Sequence, residues 1–152
     1  MQLKGTHTLP AAREQLWQHL MDPDFLARVT PGVTRLERNG SDDSFEAIVD
    51  IKMGPVKGSF SGDLALREKE QPSSFLLDVA QQSKIGNVSA TIKLELVVVD
   101  GNSTTMSFNG KAKLSGLLAR TGQRVLSGVA NTLTKQFFAA VEKELAKTTP
   151  EG

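Results

Sequence analysis

The sequence contains no cysteine, and this absence excludes several kinds of site at once. Without thiols the chain can form neither a disulfide framework nor a thiolate metal centre, and it has no cysteine nucleophile. A chain without disulfides fits a reducing compartment, so we expect a cytoplasmic protein. The first residues, MQLKGTHTLPAAREQLW, lack the basic region and apolar run of a secretory signal, in keeping with that expectation.

Neither sign of charge is in excess, and aromatic residues are few. Lysine and arginine together number 18 against 17 for aspartate and glutamate, tyrosine is absent, and aromatic residues make up 5% of the chain. Nucleic-acid binding uses a basic surplus to neutralise phosphates and aromatic side chains to stack on bases. We therefore expect no nucleic-acid partner.

Long apolar runs are also missing. None approaches the roughly 20 residues that a helix needs to cross a bilayer. We expect a soluble protein whose contact with a membrane is at most peripheral, at its inner face. The length of 152 residues suits one domain, which we predict over 1–147, followed by a disordered tail at 148–152.

Two short helices are predicted after a first strand. Gln2–Leu9 alternates weakly, and Pro10 ends it. The stretch PAAREQLWQHLMD then has an apolar stripe at helical spacing, and Asp22-Pro23 is a start signal for a second helix. Pro31-Gly32 ends that second helix.

From Val33 to Lys113 the apolar residues recur with period two, which predicts six further strands. Turn signals such as Gly54-Pro55 and Asp100-Gly101 separate them. The short connections require antiparallel neighbours, and every strand is apolar on one face only. The pattern predicts an antiparallel sheet with one solvated face.

One long helix is predicted over Ser115–Lys147, with Gly116, Gly122 and Gly128 interrupting its first half. A sheet with one apolar face needs a cover, and this helix is the only element long enough. The predicted fold class is therefore α+β, with a curved antiparallel sheet of about seven strands wrapped around the long C-terminal helix.

Three glycines fall on the inward face of this sheet, Gly58, Gly62 and Gly110. One interpretation is that they only curve the sheet or let another backbone approach closely. The other is that the missing side-chain volume leaves a hollow between sheet and helix. Periodicity alone does not decide between them.

Ionisable residues offer little catalytic chemistry. His7 and His19 match no metal-ligand spacing; His7 is expected to be structural or at the surface, and His19 to be solvated. The acidic pairs at 42–43 and 68–70 fall in predicted turns, where carboxylates are solvated. We predict no catalytic residue, no metal site and no cofactor. Arg120 and Arg124 are one helical turn apart. They either belong to a solvated face of the helix or form a basic rim that meets anionic lipid headgroups or a partner protein.

Three stretches resemble the CoxG family of carbon monoxide dehydrogenase subunits, within the START-like, SRPBCC helix-grip superfamily. They are GTHTLPAAREQLWQHLMDPDFLARVTPGV from Gly5, VDIKMGPVKGSFSGDL from Val49 and LSGLLARTGQRVLSGVANTLTKQFF from Leu114. The resemblance covers nearly the whole chain and implies a helix-grip (START/Bet v 1-like) fold with an internal hydrophobic cavity. Some members carry a C-terminal extension thought to hold the membrane, whereas this sequence ends at Gly152, soon after the long helix.

The resemblance further implies a non-enzymatic accessory protein of molybdenum-containing dehydrogenases of the carbon monoxide dehydrogenase type. Such a protein would bind a quinone or lipid and help membrane recruitment or electron transfer to the quinone pool. The predicted cavity residues are apolar: Phe25, Leu26, Phe60, Leu77, Ile92, Met106, Phe108, Leu118, Val125, Val129, Leu133 and Phe137.

Two alternatives remain open at this point. A cyclase- or hydratase-like enzyme of the same superfamily would need an acid or base inside the cavity, and the predicted register places no Asp, Glu, His, Lys or Tyr there. A pure interaction module would have a filled core.

Overall fold

The structure, a computed structural model, describes residues 1–148 as one sheet with four helices. The strands are β1 Gln2–Leu9, β2 Val33–Asn39, β3 Ser41–Met53, β4 Val56–Glu70, β5 Ser74–Gln82, β6 Val88–Asp100 and β7 Ser103–Leu114. The helices are α1 Arg13–Leu20, α2 Pro23–Val29, α3 Gly116–Arg120 and α4 Gln123–Thr148. The predicted tail at 148–152 lies outside the described residues, except for Thr148 at the end of α4.

The seven strands form a single sheet in the order β1-β7-β6-β5-β4-β3-β2. Every neighbouring pair is antiparallel, as short connections require. The long connection from β1 to β2 carries α1 and α2, and it joins the two edges of the sheet. The predicted α+β class, the seven antiparallel strands and the two short helices after the first strand are confirmed.

The start of α2 shows how local sequence fixes an element. Asp22 lies at the N-cap, where its carboxylate accepts a hydrogen bond of 3.0 Å from the backbone N–H of Asp24. Pro23 occupies the first turn, where a backbone N–H would have no intrahelical partner, so its missing N–H costs no hydrogen bond. This cap places Phe25 and Val29 on the buried face of the helix.

The predicted single C-terminal helix is two helices in the structure. α3 ends at Arg120, α4 begins at Gln123, and Gly122 between them has φ +103°. That backbone conformation is strained for any residue with a side chain, so the glycine ends one helix and lets the chain turn into the next. Gly128, by contrast, lies within α4, where a glycine is tolerated at a cost.

Two apolar clusters fill the space between the sheet and the helices. The larger one packs α1, α2 and the second half of α4 onto the sheet, with Val141 and Leu145 of α4 almost fully buried. Trp17 of α1 meets Phe75 of β5 edge-on in this cluster, at 5.6 Å between ring centroids. The smaller cluster, around Val56, Phe60 and Leu118, lies under α3 and the first half of α4.

Contacts at the inward glycines separate the two interpretations of those residues. A Cβ atom on Gly62 would stand 2.1 Å from the carbonyl oxygen of Ala80, and one on Gly110 would stand 2.3 Å from that of Thr91. A Cβ atom at either position would overlap the backbone of the adjacent strand. None of the three inward glycines lies on a cavity wall. The close approach of neighbouring backbones therefore accounts for Gly62 and Gly110.

Candidate ligand-binding cavity

A cavity of about 310 Å³ lies between the sheet and the first half of the C-terminal helical segment. The sheet supplies one wall through Val49, Ile51, Val56, Phe60, Val79 and Val88. The helices supply the opposite wall through Leu118, Leu126, Val129, Ala130 and Leu133. Met1, Leu3, Ala112 and Leu114 close one side of it.

Strand register explains why the sheet wall is apolar. Val49 of β3 pairs directly with Phe60 of β4, and Met53 pairs with Val56. Successive side chains of a strand alternate between the two faces, so Val49 and Ile51 point to the same side. The alternation in sequence thus becomes a continuous apolar surface across neighbouring strands.

The helical wall follows from the period of α4. Leu126, Val129, Ala130 and Leu133 are spaced i, i+3, i+4 and i+7, which places them on one face of the helix. This face lies over the cavity and is only half-buried, in contrast to the fully buried Val141 further along the helix. The first half of α4 covers a hollow, and its second half packs in a solid core.

α3 is fastened to the turn between β5 and β6. The backbone N–H of Leu118 donates to the carbonyl of Ile85 at 2.9 Å, and the N–H of Ser115 donates to the carbonyl of Asn87 at 3.1 Å. The hydroxyl of Ser115 accepts from the N–H of Asn87 at 3.0 Å. These bonds hold Leu118, which is 3% exposed, against the cavity.

One polar residue borders the apolar wall, with its amide group covered from the cavity. Gln81 of β5 is 6% exposed, and neither Nε2 nor Oε1 of its amide has a hydrogen-bond partner among the described residues. It continues the inward-facing series Phe75, Leu77 and Val79, two residues apart along the strand. The predicted cavity residues include only Leu77 from this strand, and the same alternation continues through Val79 to Gln81.

The structure divides the twelve predicted cavity residues into three groups. Those that line the cavity are Phe60, Leu118, Val129 and Leu133. Those that belong to the larger cluster, or pack against it, are Phe25, Leu26, Leu77, Ile92, Met106, Phe108 and Phe137. Val125 belongs to neither group, since it is 38% exposed.

Helical geometry accounts for the position of Val125. The cavity residues predicted from Val125 to Phe137 are four residues apart, and each step of four rotates about 40° around an α-helix. A stripe extended in this way leaves the buried face. Leu126, rather than Val125, therefore reaches the cavity wall.

The two histidines lie away from the cavity, and each has an aromatic neighbour. His7 stacks on Phe138 at 4.9 Å between ring centroids, and its Nε2 contacts Oε1 of Glu142 in α4. His19 stacks on Phe25 at 4.6 Å and has a buried Nε2, so it is not the solvated residue that the sequence indicated.

The acidic pairs lie in strands rather than in the predicted turns. Asp42 and Asp43 belong to β3, and Glu68 and Glu70 belong to β4, because both strands extend beyond their apolar segments. Lys69 pairs with Asp43 at 2.5 Å on the surface. Within residues 1–148, no group of three His, Asp or Glu side chains is arranged to hold a metal ion.

An ionic cluster on the outer face of the sheet joins three strands. Arg67 of β4 donates through Nε to Oδ2 of Asp78 in β5 at 2.5 Å, and Thr91 of β6 donates to Oδ1 at 2.9 Å. The hydrogen bond from Arg67 holds the pKa of Asp78 below its usual value. This cluster fastens neighbouring strands and lies on the side of the sheet opposite the cavity.

Apolar side chains are exposed at the corner where α3 meets α4. Leu117 is 55% exposed and Val125 38%, and each adjoins a cavity-lining residue in sequence. Arg120 and Arg124 are exposed on the same short stretch. We call Leu117, Arg120, Arg124 and Val125 the α3–α4 corner. None of the helices in the described chain is long and apolar enough to span a bilayer.

Comparison with models of protein families identifies the family of this chain. The model of the CoxG family, whose members are described as a subunit of carbon monoxide dehydrogenase, matches residues 5–146. The chain belongs to the CoxG family. The match runs from β1 to near the end of α4, so it includes both cavity walls. Comparison with the curated proteins gave no match.

Solved structures confirm the helix-grip fold of this CoxG-family chain. A conserved protein from Geobacillus kaustophilus superposes with a TM-score of 0.92 at 29% identity, over 97% of each chain. A START superfamily protein from Mycobacterium smegmatis has a TM-score of 0.77 at 12% identity, over 97% of this chain and 99% of the other. The aromatase/cyclase Zhui from Streptomyces sp. R1128 has a TM-score of 0.68 at 13% identity, over 95% of this chain and 92% of the other.

Proposed function

We propose that this CoxG-family chain is a non-enzymatic accessory protein that binds an apolar small molecule, a quinone or a lipid. The observation that carries the proposal is the cavity of about 310 Å³, whose walls are apolar. Ligand sites in proteins are concave, mostly apolar and provided with few polar groups. The cavity is concave and apolar, and Gln81 is the one polar residue at its border among those the structure describes.

The volume supports a ring system or a short alkyl segment as the enclosed part of the ligand. An apolar cavity of about 150 Å³ already binds benzene, and this one is about twice as large. Burial of apolar groups contributes about 0.8 kcal/mol per methylene. A neighbouring surface pocket shares Ala112, Leu114 and Leu126 with the cavity and continues past Ala119 and Gln123, which gives a longer tail a way out.

The lining favours binding over catalysis. A cyclase or hydratase needs a positioned acid or base, and none of the side chains that line the cavity is ionisable. Gln81 can donate and accept hydrogen bonds but does not exchange protons near neutral pH. The likeness to an aromatase/cyclase, at 13% identity, supports a shared fold alone.

The family description supports a partner. We propose that the chain serves a molybdenum-containing dehydrogenase of the carbon monoxide dehydrogenase type, because the CoxG family is described as a subunit of carbon monoxide dehydrogenase. It would carry its ligand between that enzyme and the membrane, helping membrane recruitment or electron transfer to the quinone pool. The α3–α4 corner, with exposed Leu117 and Val125 beside two arginines, supports peripheral contact with an anionic membrane surface.

The test of ligand binding uses the full chain purified without detergent. Native mass spectrometry and solvent extraction should find an apolar molecule at close to one equivalent, and an added quinone should raise the melting temperature of extracted protein. The proposal fails if no molecule is recovered and neither a quinone nor a fatty acid changes the melting temperature.

The test of partnership uses co-expression with the subunits of a carbon monoxide dehydrogenase from the same source. A complex that survives size-exclusion chromatography, or faster quinone reduction when this chain is added, would support the proposed role. A chain that binds quinone but leaves both measurements unchanged would be a carrier for another system.

A further inference from the structure

The charges of this chain are distributed unevenly, although their sum is close to zero. Three stretches contain no aspartate or glutamate: 51–62, 79–94 and 101–141. Together they hold half of the 18 basic residues and none of the 17 acidic ones. The same stretches supply most of the residues that line the cavity. The part of the molecule that encloses the cavity is therefore basic, and the acidic residues belong to the remainder.

Contacts between turns bring six of these basic residues to one end of the molecule. Lys52 pairs with Lys57 across the β3–β4 hairpin. A Cβ atom on Gly58 would stand 3.4 Å from the side chain of Ile85, so this hairpin adjoins the β5–β6 turn. The hydrogen bonds described above join that turn to α3. We call the resulting set the basic end: Lys52, Lys57, Lys84, Lys113, Arg120 and Arg124.

The basic end is exposed and its charge is not neutralised. All six side chains are exposed. Among residues 1–148, none of the six forms an ion pair with an acidic side chain. Asp50, two residues before Lys52 on β3, is the acidic residue closest to the set along the sequence. One carboxylate leaves the set with a clear excess of positive charge.

The cavity continues to the surface at this same end. The surface pocket that shares Leu114 and Leu126 with the cavity is also lined by Lys113 and Gln123. It lies where β7 passes into α3 and where α4 begins. The exposed apolar side chains of the α3–α4 corner adjoin it in sequence. The basic end therefore combines an excess of positive charge, exposed apolar side chains and the opening of the cavity.

We propose that the basic end docks on an anionic lipid bilayer with the cavity opening facing the lipid, so that the ligand passes between bilayer and cavity during contact. The inference rests on the proposed function, since it requires an apolar ligand in the cavity. It extends the membrane contact from the α3–α4 corner to the β3–β4 hairpin and the β5–β6 turn. It also assigns a route of exchange, in which the ligand does not cross water.

The composition of the basic end favours a bilayer over a protein as the docking partner. Four of its six members are lysines, and lysine is depleted in protein–protein interfaces. A stable interface of that kind buries about 800 Å² on each partner around an apolar centre. Here the exposed apolar centre consists of two side chains, Leu117 and Val125. Lysine and arginine near an anionic bilayer are attracted by its surface potential and need no individually matched partner.

The first experiment measures docking without any ligand. Co-sedimentation with vesicles of phosphatidylcholine and phosphatidylserine is compared for the wild type and for Lys57→Glu combined with Lys84→Glu. Each basic residue near an anionic surface strengthens attachment about fivefold, so the double variant should bind at least about tenfold more weakly. Neither lysine lines the cavity, so the rise in melting temperature with added quinone should be retained.

A matched double variant makes the same change of net charge elsewhere. Lys93 is exposed on the outer face of β6, and Lys143 is exposed on the second half of α4. Lys93→Glu combined with Lys143→Glu should bind vesicles much more strongly than the double variant at 57 and 84. Equal losses in the two double variants would show that binding follows net charge rather than the basic end.

The absence of cysteine allows the orientation to be measured directly. Leu117→Cys and Val98→Cys each provide a single attachment site for an environment-sensitive fluorophore, and both positions are exposed. Anionic vesicles should shift the emission of the label at 117 to the blue, because that label enters the bilayer. The label at 98, at the end of β6, should show no shift.

The second experiment follows the exchange of ligand. Protein loaded with decylubiquinone is mixed with vesicles that contain a pyrene-labelled lipid, whose fluorescence the quinone quenches on arrival. Transfer by contact should become faster with more vesicles and with a larger fraction of phosphatidylserine. It should also be slower in the variant with glutamate at 57 and 84. Transfer through water would have a rate set by dissociation alone, which does not depend on vesicle concentration.

The outcomes distinguish this inference from the proposed function. If the wild type takes up no decylubiquinone, quinone binding fails and the inference falls with it. If it binds decylubiquinone but not anionic vesicles, or releases it at a rate independent of vesicle concentration, the carrier function stands and the inference is overturned. A variant at 57 and 84 that keeps vesicle binding but loses its complex with the dehydrogenase would assign the basic end to that protein instead.

Discussion

Gly86 lies against Ser115 so closely that a Cβ atom on Gly86 would stand 1.9 Å from the carbonyl oxygen of Ser115. The glycine also has φ +133°, a conformation that side chains disfavour. Together with the hydrogen bond between Leu118 and Ile85, this contact joins the β5–β6 turn to α3. The turn and the cover of the cavity therefore behave as one unit.

Substitution of Gly86 should separate the β5–β6 turn from α3. Gly86→Ala is expected to lower the free energy of unfolding by at least about 2 kcal/mol, because both the backbone strain and the overlap with Ser115 must be relieved. Quinone binding should weaken as well, because Leu118, which lines the cavity, would shift. Urea denaturation and calorimetry measure the two effects.

Gly101→Ala is the control for this variant. Gly101 lies in the turn between β6 and β7, and a Cβ atom there would meet nothing within 4 Å. We expect a change of less than about 1 kcal/mol. Equal losses of stability in the two variants would contradict the role assigned to the contact at Ser115.

Filling the cavity should abolish binding without unfolding the protein. Ala130→Phe places a ring on the helical wall, where about 310 Å³ is available to receive it. We expect no rise in melting temperature with added quinone, and little change in the melting temperature of the free protein. Ala146→Phe, on an exposed site of the same helix, should leave the quinone response intact. A full response in Ala130→Phe would place the ligand elsewhere.

The α3–α4 corner should carry the contact with membranes. Leu117→Glu puts a negative charge among the exposed apolar and basic residues, which opposes both insertion and attraction to anionic lipid. Co-sedimentation with vesicles of phosphatidylcholine and phosphatidylserine should fall severalfold, and wild-type binding should weaken with added salt. Val98→Glu makes a similar change at a residue that is 49% exposed near the end of β6, and it should bind vesicles as the wild type does.

The pair Arg67 and Asp78 should contribute to stability in a pH-dependent way. The pKa of Asp78 is lowered in the folded protein, mainly by the hydrogen bond from Arg67. A lowered folded-state pKa gives stability that is present above the ordinary value of 3.8 and is lost as the pH falls through the folded-state value. Asp78→Asn should therefore be modestly less stable than the wild type at pH 7, and the gap should close below about pH 4.

A double-mutant cycle isolates this interaction. With Arg67→Met already in place, Asp78→Asn should have a smaller effect on the urea midpoint at pH 7 than it has alone. Both side chains are substantially exposed, at 49% for Arg67 and 36% for Asp78, so the coupling is expected to be small. A gap that persists unchanged to pH 3 would show that the charge of Asp78 does not act through Arg67.

Much of the fold was accessible from the sequence because it depends on local periodicity. Alternation between Val33 and Lys113 predicted the strands, and the apolar spacing after Ser115 predicted a helical cover. The break at Gly122 was missed because a glycine within a helical pattern is equally compatible with an uninterrupted helix. Gly128, which α4 contains, is an example of that second case.

The candidate site was less accessible, for two different reasons. Contacts such as the one between Gly62 and Ala80 depend on the distance between strands, which no pattern in the sequence specifies. Gln81, in contrast, follows from the period of β5, and it was missed because the predicted cavity set contained only apolar residues. Val125 and Leu126 differ by one position on α4, which is enough to move a side chain from solvent to the cavity wall.

The uneven burial of α4 has a kinetic consequence. Phe138, Val141 and Leu145 hold its second half in the core, while the first half has no residue of comparable burial. Displacing the early turns of this helix would therefore break only a few half-buried contacts. For the ligand binding proposed above, we expect loading and release to follow this local opening and to occur many times during the lifetime of the folded molecule.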